Sequence, residues 1–147
     1  KAGAAMKVIR PKVLVPFRTP CPCEFCGKWC QVREPAHIFA SGMGGARLDV
    51  SINLVALGST PRFACPCHRE HHQGRTPLKC DLMRLTAKRE KTTPNAVERV
   101  LTWLRNLPKG SSDERARRGI CLMPLDTAEL AERIWAEVCG ESLVKGR

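Results

Sequence analysis

Apolar residues recur along this chain with two periods. Val97, Val100, Leu101, Leu104 and Leu107 fall at three- and four-residue intervals, the stripe that one face of an α-helix buries. Thr93 and Pro94 supply an N-cap and a first-turn proline, so the spacing predicts a helix opening there. A second helix is expected from Asp126 as N-cap, with Glu129 completing a capping box and Leu125 stapling onto Leu130. Its apolar face would be Leu130, Ile134, Trp135 and Val138, and Gly140 would end it. Trp103 and Trp135 read as packing residues. A weaker helical pattern covers Cys80 to Glu90. Upstream, Glu34 to Ala40 and Ser51 to Leu57 read as short strands around the glycine-rich loop Ser41 to Asp49. Residues 108–119, polar with Gly, Pro and Ser, read as a linker. Lys1 to Ala5, ahead of Met6, read as vector-derived.

Charge adds a partner class to this outline. The 147 residues carry 25 Lys and Arg against 14 Asp and Glu, a net charge of +11, and nucleic acid is the leading acidic partner. The excess is uneven: residues 1–120 hold 22 basic and 9 acidic residues, whereas 121–147 hold 3 and 5. The phosphate-facing surface is therefore expected in the first part. No apolar run approaches the roughly 20 residues that span a bilayer, and no signal core is evident, so a cytoplasmic setting is expected. Seven aromatic residues and no tyrosine argue against a platform that stacks unpaired bases.

Between Cys21 and His72 lie all four histidines and six of the nine cysteines. With no export signal, close cysteine pairs read as metal ligands rather than disulfides. Zinc in a structural site takes four thiolate or imidazole ligands, commonly as two close pairs. Cys23 and Cys26, followed by Gly27 at the turn, form one pair; Cys65 and Cys67 form the other, with Cys21, Cys30 and Cys80 as alternative ligands. His68 and His72, four apart on a helix, present two imidazoles on one face, whereas His71 is rotated by about 100°. His68 and His72 therefore read as a pair able to share a metal ion.

In order, the chain offers a zinc knuckle, His37-Ile38, a glycine-containing loop, Asn53-Leu-Val-Ala-Leu57 and Cys67-His68-x-x-x-His72. Over residues 21 to 75 this resembles the HNH endonuclease family. With the helical patterns downstream, the expected fold is α+β: a small zinc-supported core over residues 6–80, then a mainly helical extension, 81–107 packed on the core and 120–147 as a C-terminal helix. For the core, the resemblance implies a ββα-metal fold. It implies metal-dependent hydrolysis of DNA phosphodiesters, leaving a 5′ phosphate and a 3′ hydroxyl. His37 matches the general base, Asn53 the residue that braces the loop and orients the base or, in some members, reaches the metal, and His68 and His72 the helix carrying the catalytic divalent metal. Magnesium or manganese is the default ion, with nickel or zinc also suited to imidazole ligands.

Three departures from the family pattern stand out. Ala36 occupies a position that is often a metal-ligating Asp, Glu or His, leaving Glu34 or Asp49 as substitutes, or the metal to His68, His72 and the phosphate alone. Gly58 to Phe63 look inserted before a Cys-x-Cys knuckle. The loop lacks the Ser-Arg-Gly arginine, leaving Arg47 as its basic group. Arg47, Arg62, Arg69, Arg75 and Lys79 are the expected contacts to double-stranded DNA. The acidic C-terminal helix is left with three roles: packing on the core, forming a homodimer, or meeting a partner. The setting expected from the resemblance is a bacterial or phage-infected cell, and the rival reading is a non-catalytic zinc-stabilised nucleic-acid-binding module on the same fold.

Overall fold

Capping signals in the sequence place several of the elements. In a computed structural model that describes residues 6–39, 47–59 and 65–145, with side chains up to residue 140, Thr93 accepts a hydrogen bond from Ala96 N at 3.1 Å and opens a helix over Pro94–Asn106. The described residues form six helices: α1 (Pro11–Arg18), α2 (Cys67–His72), α3 (Lys79–Arg89), α4 (Pro94–Asn106), α5 (Asp113–Ile120) and α6 (Leu125–Lys145). Two small antiparallel sheets accompany them. One pairs β1 (Cys21–Pro22) with β2 (Trp29–Cys30). The other pairs β3 (Arg33–His37) with β4 (Leu54–Gly58), in a register that sets Arg33 opposite Gly58 and His37 opposite Leu54. The chain is thus mixed α/β.

Val55 and Leu57 of the hairpin share one buried cluster with Val97, Val100, Leu101 and Leu104 of α4 and Leu130, Ala131 and Ile134 of α6. Helix α4 stands between α3 and α6, and its apolar stripe is buried as its spacing predicts. Arg33, almost fully buried, closes the junction between α1 and β1. Its guanidinium donates to the carbonyls of Pro16 and Thr19 at 2.8 Å and of Pro22 at 3.1 Å, taking up carbonyls that the end of α1 leaves free.

Several elements differ from the sequence reading. The stretch 108–119, expected as a linker, carries α5 instead. Ser112 caps it by accepting from Arg115 N, Asp113 and Glu114 sit in its first turn, and Ala116 and Ile120 bury one face. Helix α6 begins at Leu125, one residue before the expected cap, and Asp126 accepts from Thr127 N at 2.7 Å. Leu125 is 76% exposed and staples nothing. Gly140 does not end the helix, which runs on to Lys145. The expected strand from Ser51 begins with a 3-10 turn over Ser51–Asn53, so Asn53 stands at the entrance to β4 rather than within it. Residues 1–5, Ala40, the glycines of the 41–46 loop, Arg62 and most of the expected insertion lie outside the described residues.

Candidate functional site

The sulfur atoms of Cys23, Cys26, Cys65 and Cys67 lie within 4.8 Å of one another, and this group could hold a metal ion. Gly27, at φ +78°, permits the turn that brings its N–H to Cys23 O at 2.9 Å. Zinc–thiolate bonds of about 2.3 Å in a tetrahedron separate sulfurs by about 3.8 Å, and the Cys26 and Cys65 sulfurs are 3.4 Å apart. Four soft donors at this spacing fit a structural zinc ion. Burial acts to raise the Cys23 pKa, but N–H groups of Cys26, Gly58 and Phe25 outweigh it and lower the thiol. Burial, then the neighbouring thiols, pushes Cys67 far above the ordinary thiol range. A dication among these sulfurs would favour their deprotonated forms. Gly58 passes so close that a methyl group there would collide with the sulfurs of both Cys30 and Cys65. Cys30, an alternative ligand by sequence, is not in the group and donates instead to Lys28 O at 3.3 Å.

Glu24, inside the knuckle, ties it to the hairpin. Its carboxylate accepts from Ala56 N at 2.8 Å and twice from Arg89 at 2.9 Å. Arg89 also donates to Ser51 O and Leu54 O at 2.7 and 3.0 Å, so the knuckle, α3 and the entrance to β4 form one hydrogen-bonded unit.

His37, the last residue of β3, places Nε2 at 2.8 Å from Asp49 Oδ1. An ionised carboxylate only accepts, so the facing ring nitrogen carries the proton, and in the neutral ring the lone pair is then on Nδ1. Asp49 is fully buried and also accepts from Arg47 Nε at 3.0 Å and from Arg10 N at 2.9 Å. Burial pushes the Asp49 pKa up; the bonds from Arg47, His37 and Arg10 more than offset it and hold the group below its ordinary value.

Asn53 is buried with its amide satisfied: Oδ1 accepts from Phe39 N at 2.8 Å, and Nδ2 donates to Phe39 O at 3.2 Å and Leu48 O at 2.9 Å. Those partners are the two ends of the loop that links His37 to Asp49, so Asn53 sets its span.

On α2, His68 Nε2 and His72 Nε2 approach to 3.1 Å. Two imidazoles at about 2.1 Å from one ion, at right angles, would be about 3.0 Å apart, so the pair fits a shared metal. Burial and the charge of His72 lower the His68 pKa, opposed by Glu34. His71 is committed elsewhere, with Nδ1 at 2.8 Å from Pro77 O. Ala36 is 3% exposed and offers no donor. Of the two substitutes, Asp49 is taken up by His37, Arg47 and Arg10, whereas Glu34 shares a strand face with Ala36 and its field reaches His68.

A cavity of about 240 Å³ opens beside His37, lined by Leu14, Arg18, Glu34, Pro35 and Arg47. Arg18 Nε lies 3.3 Å from Glu34 Oε2. Of the expected DNA contacts, Arg47 is paired with Asp49, Arg75 with Glu70, and Lys79 holds its ammonium 4.1 Å from the centre of the Phe39 ring. Arg69 is exposed on α2.

The sequence reading gave Asp49 only as a substitute ligand and passed over Arg18 and Glu137. Arg47-Leu48-Asp49-Val50 alternates charged and apolar residues, and Leu48 and Val50 are fully buried; that alternation marks an extended segment with its charges on one side. Nothing local signals Glu137, whose carboxylate accepts from Ser51 N at 3.0 Å and Ser51 Oγ at 2.8 Å. Comparison of the chain with protein-family models, with curated proteins and with solved structures finds no match in any of the three. Among the described residues no helix is long and apolar enough to cross a membrane.

Proposed function

We propose that this chain is a metal-dependent DNA endonuclease of the HNH type, with His37 as the general base. The observation that carries the reading is the contact between His37 and Asp49, closed over a loop that Asn53 braces. In this reading Asp49 holds the proton on Nε2, and Nδ1 takes a proton from water as it attacks the phosphodiester. An imidazole changes protonation state close to neutral pH, which suits that role. Arg18 and Arg47 flank His37 in the cavity and supply guanidinium donors for phosphate oxygens. His68 and His72 would hold the divalent ion, with Glu34 the nearest carboxylate in kind to the one Ala36 lacks. That ion, when bound, neutralises charge on the scissile phosphate and the departing 3′ oxygen. The four cysteines would hold a separate structural zinc.

Supercoiled plasmid incubated with magnesium, manganese or nickel tests the proposal. Nicked or linear product is expected, lost with chelator and reduced roughly 10²- to 10⁴-fold in His37→Ala. A His37→Ala variant as active as the wild type with every metal overturns it. Ala36 favours a second reading, a zinc-stabilised nucleic-acid-binding module that does not cleave. Metal analysis separates the two: the module holds one tight zinc, and the nuclease adds an exchangeable second ion lost in the His68→Ala, His72→Ala double variant.

A further inference from the structure

We propose that Glu137, on α6, is a positioning residue for the His37 and Asp49 pair; the catalytic sense of this rests on the nuclease reading above. The 3-10 turn over Ser51–Asn53 begins after Val50, whose side chain offers no cap to its first N–H groups. Glu137 fills that role from 86 residues away: Oε2 accepts from Ser51 N at 3.0 Å and Oε1 from Ser51 Oγ at 2.8 Å. Bonds to an ionised acceptor are roughly twice as strong as neutral ones, and the Glu137 side chain is three-quarters shielded from solvent.

Ser51 lies midway between Asp49, which orients His37, and Asn53, which braces the loop. It is gripped on its other side as well, where its carbonyl accepts from Arg89 Nη2 at 2.7 Å. A second path runs through the backbone of the same glutamate. Glu137 O accepts from Arg10 Nη1 at 2.5 Å, and Arg10 N donates to Asp49 Oδ2 at 2.9 Å. One residue of α6 therefore holds the Asp49 segment through its carboxylate and through its carbonyl. Truncating the side chain releases the first path and a longer ion pair of Oε2 with Arg10 Nη1 at 3.9 Å, and leaves the carbonyl contact of the second path in place.

The test uses the full chain. In Glu137→Ala, kcat for plasmid cleavage is expected to fall about tenfold with KM within twofold, because the group orients the base without touching DNA. Ser51→Ala, on the other side of the contact, should lower kcat in the same direction, and the double variant should be no worse than Glu137→Ala. The slowly exchanging Nε2 proton of His37, seen by NMR, should be sharp in wild type, broadened in Glu137→Ala and recovered in Glu137→Gln, which keeps an acceptor for Ser51 N. An unchanged kcat together with an unchanged Nε2 proton in Glu137→Ala overturns the proposal. Should that variant lose its fold or its zinc, the same two readings on Ser51→Ala decide. The NMR reading needs no turnover, so a wild type that cleaves nothing sinks the nuclease reading while positioning is still judged from the imidazole proton.

Discussion

His37 Nε2 stands 2.8 Å from Oδ1 of Asp49, twelve residues further along the chain and wholly buried. The pair orders the ring, while against the effect of burial the bonds from Arg47 first, then His37 and Arg10, keep the carboxylate ionised. Because the Asp49 pKa is depressed on folding, its contribution to stability is fully present above its unfolded value of about 4 and is lost as pH falls through the lower folded value. The stability gap between wild type and Asp49→Asn in urea denaturation should therefore begin to close as pH falls below about 4. A gap that persists unchanged at pH 2.5 would contradict this linkage.

The four-cysteine group predicts about one tightly held zinc per chain by elemental analysis. Cys67→Ser should release it, and a strong chelator should lower the melting temperature of wild type. Gly58→Ala should have the same effect although residue 58 supplies no ligand, because the added methyl displaces the Cys65 sulfur. Retention of the zinc in Gly58→Ala would refute the close approach.

Asn53→Ala strands three backbone groups: Phe39 N, Phe39 O and Leu48 O. With unpaired buried polar groups costing about 1–3 kcal/mol each and water reaching some of them, a loss of about 2–4 kcal/mol is expected in urea denaturation. Hydrogen exchange should rise first at Phe39, whose N–H loses its acceptor. A loss below about 0.5 kcal/mol, within the range of an ordinary surface change, would show that the brace is dispensable.

On the proposed nuclease reading, Glu34 and Arg18, paired at 3.3 Å in the cavity lining, would divide two roles. Glu34→Gln should raise the metal concentration giving half-maximal cleavage by roughly ten- to a hundredfold, the range for disturbing a metal's partners, with little effect on DNA affinity. Arg18→Ala should instead weaken DNA binding and flatten its salt dependence by about one phosphate contact. Titrations of metal and of salt on both variants check the division; interchange of the two effects would contradict it.

The parts legible in the sequence are those fixed by local spacing. Thr93 and Pro94, the stripe from Val97 to Leu104, the turn at Gly27 and the 3.1 Å approach of His68 to His72 follow from residues within a few positions of one another. The four-cysteine group was readable across 44 residues because close cysteine pairs without a disulfide framework point to a shared metal. Helix α5 was missed because its charged surface outweighed a two-residue buried face and a single serine cap. Asp49 and Glu137 were passed over for a different reason: an acidic residue facing solvent and one gripping a distant backbone look alike in one dimension. Only packing brings α6 against the Ser51 turn.

The contact between Ser51 and Glu137 closes a loop of 86 residues, and that separation has a consequence for synthesis. A chain emerging from the ribosome at about 5–20 residues per second exposes the cysteine pairs, the histidine pair and His37 well before residue 137 clears the exit. During that interval of several seconds the Asp49 segment lacks its α6 anchor. If cleavage depends on that anchor, a chain that has not yet reached α6 is harmless to the nucleic acid around it, and competence arrives only with that helix.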